Sequence, residues 1–129
     1  MKLKNILFVV RDIEKSKCFY RDLFGLQVIT DFGDNVILLE GLVLQQQNPW
    51  EEVLEKEVDF GGNDAELYFE ERNMDHFLKR LADSKYPVNY ITKDEVNEIG
   101  QRVVRLYDPD FHIIEVKEER KWTDCVQNA

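Results

Sequence analysis

Residues 3–25, LKNILFVVRDIEKSKCFYRDLFG, carry the reading that decides the fold. The run 3–10 is rich in branched and aromatic residues, the composition of a strand. Asp12 then stands where an N-cap belongs. Ile13, Phe19, Tyr20, Leu23 and Phe24 recur at helical spacing, and Gly25 supplies a C-terminal stop. A strand therefore feeds a helix of about three turns. Residues 65–82, AELYFEERNMDHFLKRLA, repeat the statement. A shift of 61 positions sets Asn5 on Glu66, Leu7 on Tyr68, Phe8 on Phe69, Arg11 on Arg72 and Asp12 on Asn73. Met74, Phe77, Leu78, Leu81 and Ala82 again fall on one helical stripe.

Working outward, residues 26–32, 35–40 and 42–47 read as three strands, parted by Gly33-Asp34-Asn35 and Glu40-Gly41. Residues 48–64 form a polar linker with a short helix over 50–56. In the second half, Val88–Thr92 is a strand, Lys93–Gly100 a charged loop, and Arg102–Tyr107 and His112–Lys117 two strands around the turn Asp108-Pro109-Asp110-Phe111. The fold class is α+β, an internal βαβββ duplication within a single domain, 1–129. Module 1 covers about 3–47 and module 2 about 65–117, with a polar tail at 118–129. The two modules pack side by side into a curved, cup-shaped mixed sheet, helices on the outer face.

Composition bounds the function. The 129 residues hold 17 Lys and Arg against 26 Asp and Glu, a net charge of −9, with 43% hydrophobic residues. That is enough apolar material for a packed core. The acidic balance and the lack of a basic run disfavour nucleic acid and anionic membrane surfaces as partners. No apolar run approaches the roughly 20 residues of a membrane span. Cys18 and Cys125 make no disulfide framework, and the expected setting is the reduced cytoplasm.

Strand alternation selects the side chains on the open face. If Ile6, Phe8 and Val10 pack beneath the helix, Asn5, Leu7 and Val9 face the other way. By the same parity Val43, Gln45 and Gln47 face out, as do Glu66, Tyr68 and Glu70, and Ile113, Glu115 and Lys117. Asn5, Gln45, Glu66 and Glu115 form the polar set, and Tyr68 is the aromatic of the cup wall. Trp50 in the linker can stack on a flat ligand or serve as an apolar anchor; Trp122 in the tail has the same two readings.

The stretch VRDIEKSKCFYRDLFGLQV, the duplication and the ending GQRVVRLYDPDFHIIEV together resemble the vicinal oxygen chelate superfamily, which holds glyoxalase I, extradiol dioxygenases, fosfomycin-resistance enzymes and bleomycin-resistance proteins. The resemblance spans residues 3–117. It implies a homodimer and a divalent metal held by the first and last strands of each module, which here means Asn5, Gln45, Glu66 and Glu115. Glu115 follows the Asp-Pro-Asp turn, where the family carries a ligand glutamate. Glu66 stands where histidine is commoner, and the other two positions carry amides. Such oxygen donors suit Mg²⁺, Mn²⁺ or Ca²⁺. His76 and His112, the only histidines, have the wrong placement for a dioxygenase triad and read as solvated or capping residues.

Three uses of the set stay open. One is a metal-free or weakly metal-dependent site that binds or sequesters an organic small-molecule ligand, the form toward which the reading leans. Another is a metal-dependent lyase or isomerase of glyoxalase type, with Glu66 and Glu115 as ligands or as the catalytic base. The last is a cup without chemistry. One departure from the family bears on the fold: Phe111 replaces the glycine of the usual Asp-Pro-Asp-Gly turn, so it must adopt glycine's positive φ or a different turn.

Overall fold

The computed structural model describes residues 1–120; Trp122 and Cys125 lie outside the described residues. The described residues form two compact units, Met1–Gly62 with Pro109–Phe111, and 63–108 with 112–120.

The first unit runs β1 (Ile6–Val10), α1 (Ile13–Phe24), β2 (Val28–Asp31), β3 (Asn35–Leu38), a 3₁₀ turn at Leu39–Gly41, β4 (Leu42–Gln46) and α2 (Gln47–Leu54). Its four-stranded sheet has the order β1-β4-β3-β2, with β1 parallel to β4 and the other pairs antiparallel. The expected boundaries of α1 hold for a local reason. Asp12 accepts a hydrogen bond from the Lys15 amide, and Gly25 adopts φ 68° at the C-terminus. Phe19, Tyr20 and Leu23 turn inward and join Val10, Val36, Leu38 and Leu44 in the core. Phe19 and Tyr20 meet edge to face at 5.2 Å. Ile6 departs from the expected packed set: it opens the edge strand and is 53% exposed.

The second unit repeats the plan with β5 (Glu66–Glu71), α3 (Met74–Ala82), β6 (Asn89–Val96), β7 (Arg102–Tyr107) and β8 (Ile113–Glu118), in the order β5-β8-β7-β6. Met74, Phe77 and Leu81 of α3 are buried, as are Val104, Leu106, Ile114 and Val116. Truncating Phe77 to Ala would remove about 3–5 kcal/mol of this packing. The charged loop expected at Lys93–Gly100 is shorter than that reading. Strand β6 continues to Val96, and only its tip, closed by Asn97 and Gln101, turns. Polar composition suggested a loop, but an edge strand tolerates charge on its open side. Irregular pairing between Thr92 and Glu95, with Asp94 at φ 54°, absorbs the misfit.

Phe111 resolves the turn question: it takes the glycine conformation, φ 67°. A side chain there costs about 1–2 kcal/mol.

Candidate functional site

In the second unit, pairing fixes which side chains share a face. Tyr68 on β5 stands opposite Glu115 on β8, which stands opposite Arg105 on β7, which stands opposite Thr92 on β6. The rows on either side hold Glu66 with Ile113, and Glu70 with Lys117. This is the face away from Leu67, Phe69, Ile114 and Val116, as alternation requires.

Glu66 and Glu115 meet here. Glu115 is 8% exposed and Glu66 is exposed. Burial, then the neighbouring Glu115 charge and a hydrogen bond to it, push the Glu66 carboxyl above the ordinary range; Arg105 and Lys117 oppose the shift. Glu115 has a cation of its own. Arg105 Nη2 lies 2.8 Å from its Oε1, while Nη1 reaches Glu95 at 3.0 Å. Tyr68 is 53% exposed, and Lys117 sits 5.5 Å from its ring centroid. Burial, then Glu70, Glu115 and Glu66, push the Tyr68 hydroxyl up. The face is a graded polar surface. A buried, arginine-paired carboxylate lies at its centre, with the raised Glu66 carboxyl on one side and an accessible ring on the other.

The first unit carries the two amides differently. Asn5 precedes β1, is exposed, and donates from Nδ2 to the Gly41 carbonyl at 3.2 Å. Gln45 stands opposite Val9 and accepts from Asn35 Nδ2 at 2.9 Å. Strand register therefore does not bring Asn5 and Gln45 together. The position that matches Glu115, opposite Leu7 as Glu115 is opposite Tyr68, belongs to Val43. Trp50 sits on α2, half-buried.

The fit of a divalent ion is tested on these donors. The second unit offers two carboxyls, one of them paired with Arg105. Among the described residues, no group of three or more His, Cys, Asp or Glu could hold a metal ion. Ca²⁺ takes six or more oxygens, and Mg²⁺ keeps several waters beside one or two carboxylates. Within the second unit, the carboxylate already engaged by Arg105 does not offer the open oxygen cage that Ca²⁺ takes.

Three residues escaped the sequence reading. Arg105 was not assigned as the partner of Glu115. Counting back from the turn would have found it, because a hairpin that pairs Tyr107 with Ile113 pairs Arg105 with Glu115. Glu95 was hidden by the loop assignment. Asp108, 1% exposed, lies 2.7 Å through Oδ2 from His112 Nδ1 and accepts the His112 amide on Oδ1 at 2.9 Å. His112 is thus a clamp on the turn rather than a solvated ring. His76 is exposed on α3.

The fold and these motifs meet the model of the glyoxalase-like domain, which matches residues 3–120. The chain belongs to the vicinal oxygen chelate superfamily. Among solved structures, this superfamily member is similar to a protein of unknown function from Agrobacterium tumefaciens str. C58. The two are 36% identical with a TM-score of 0.77, over 93% of this chain and 95% of that one. A glyoxalase-related enzyme from Fulvimarina pelagi shares the fold at 18% identity and a TM-score of 0.76, over 92% and 88% of the two chains. So does the fosfomycin resistance protein FosX from Mesorhizobium loti, at 17% identity and a TM-score of 0.67, over 97% of each. No curated protein matches the chain. No helix among the described residues is long and apolar enough to cross a membrane.

Proposed function

We propose that this superfamily member binds and sequesters an organic small molecule without a resident metal, on the face that carries Tyr68, Glu66 and Glu115. The observation that carries the reading is the 2.8 Å ion pair between Arg105 and Glu115, which occupies the carboxylate a metal would need. Glu66 then serves as the acceptor for a cationic or hydrogen-bond-donating group, and the Tyr68 ring gives a flat moiety something to stack on. The homodimer that the family resemblance implies belongs to the same proposal, and sedimentation at micromolar concentration checks it.

Thermal-shift titration tests the reading with two probe sets: Mg²⁺, Mn²⁺, Ni²⁺ and Zn²⁺, and tryptamine against its neutral analogue 3-ethylindole. A ligand that binds the native state raises its stability. Saturable stabilisation by tryptamine, weakened in Glu66→Gln and Tyr68→Ala, supports the proposal. Saturable stabilisation by a metal, lost in Glu115→Ala, would replace it with the second reading, a glyoxalase-type lyase or isomerase. One observation favours that second reading: burial and the neighbouring Glu115 raise the Glu66 carboxyl above the ordinary range, the direction a general base needs.

A further inference from the structure

The charges on the Tyr68 face of the second unit are unevenly matched. Glu66, Glu70 and Glu115 share it with Arg105 and Lys117. The Arg105 guanidinium is committed twice, to Glu115 at 2.8 Å and to Glu95 of β6 at 3.0 Å. Lys117 is not committed in this way. It is half-buried on β8, and among the described residues its ammonium makes no ion pair or hydrogen bond. Glu70 stands opposite it in the register, yet no ion pair joins the two and Glu70 stays exposed. The Lys117 ammonium lies instead 5.5 Å from the centroid of the Tyr68 ring, which is 53% exposed.

That contact sets what a flat ligand meets. A cation–π contact at an exposed ring is weak, so a molecule that stacks on Tyr68 displaces the ammonium. The displaced lysine stays tethered beside the ligand, and Arg105 already holds the buried carboxylate of the neighbouring row. An anionic group on the ligand itself is then the partner it meets. Register sets where that group lies. Glu66 and Glu70 are four residues apart on β5, and Lys117 pairs with Glu70. The Glu66 and Lys117 rows are therefore about 13 Å apart along the strands, with the Tyr68 row midway. A ligand cation at Glu66 and a ligand anion at Lys117 fall at opposite ends of a ring stacked on Tyr68.

We propose that the ligand of this face is a spanning zwitterion, with an ammonium at one end of a flat ring system and a carboxylate at the other. Glu66 takes the cation, Tyr68 the ring and Lys117 the carboxylate. The inference rests on the reading of this face as a metal-free site for an organic ligand, and narrows it.

Calorimetric titration of the full chain with three amines tests the narrowing: tryptamine, 5-carboxytryptamine, whose carboxylate lies across the ring from the ammonium, and tryptophan, whose carboxylate lies beside it. 5-Carboxytryptamine is expected to bind about fivefold tighter than tryptamine, the upper range of a partly exposed ion pair, and tryptophan to show no gain. Lys117→Met should abolish the fivefold gain and tighten tryptamine about twofold, because a competing cation leaves the ring. A loss of structure would instead weaken both ligands together. Lys117→Arg, which keeps the cation, should retain the gain. Equal binding of tryptamine and 5-carboxytryptamine, a gain that survives Lys117→Met, or the same gain with tryptophan would overturn the zwitterion. If tryptamine still binds through Glu66 and Tyr68 in that case, the site reading stands without it. Failure of all three amines to bind overturns both.

Discussion

Removing the Arg105 guanidinium isolates a buried carboxylate. The Glu115 side chain is 11% exposed and that of Arg105 is 35% exposed. Breaking a fully buried pair costs about 3–5 kcal/mol, and an exposed pair contributes about 0.2–1 kcal/mol. This pair lies between those limits, so Arg105→Ala is expected to destabilise by about 2 kcal/mol at neutral pH. For a chain of this size that lowers Tm by roughly 6–10 °C. Urea titration should show a lower midpoint with an unchanged slope, the signature of lost stability rather than a changed denatured state. Arg105→Lys keeps a charge but loses the fork that also engages Glu95, and should fall between the two. In the double variant Arg105→Ala/Glu115→Gln, most of the loss should disappear, because the uncompensated charge has gone. Arg105→Ala should also respond to added Mn²⁺ more than the parent does, since two neighbouring carboxyls then lack a cation. A loss below about 0.5 kcal/mol, or strict additivity in the double variant, would refute the assignment of Arg105 as the charge partner of Glu115.

Other consequences are equally direct. Because the Glu66 carboxyl is raised in the folded state, its contribution is fully present below the unfolded pKa and is lost as pH rises through the folded one. Glu66→Gln should therefore be more stable than the parent at pH 7–8, by less than about 1 kcal/mol because solvent screens the exposed carboxyl. The difference should vanish near pH 4, which chemical denaturation across pH will check. Phe111→Gly should be more stable than Phe111→Ala by about 1 kcal/mol, because both lose the ring and only glycine adopts φ 67° without strain. Asp12→Ala should cost about 1 kcal/mol by removing the acceptor for the Lys15 amide, seen as a lower urea midpoint. Gly25→Ala should cost a similar amount through φ alone, since open space surrounds its missing Cβ.

The sequence by itself determined the elements and their repetition. Asp12, Gly25 and Asn73 act on their own neighbours, and the helical stripes of α1 and α3 are set by local spacing, so these features are legible one residue at a time. Alternation likewise placed Glu66, Tyr68 and Glu115 on one face, because it is a property of each strand alone. Tertiary structure decided what those residues meet. That Gln45 stands opposite Val9, while Val43 takes the position matching Glu115, is a matter of register, and register is set between strands. The Arg105–Glu115 ion pair needs the hairpin that brings β7 beside β8. Asp110 accepts from the Arg11 amide, 99 residues earlier in the chain, a partnership that no local pattern encodes. Short-range hydrogen bonds and periodicity write themselves into the order of residues; the charge environment of a buried carboxylate exists only once distant segments have closed around it.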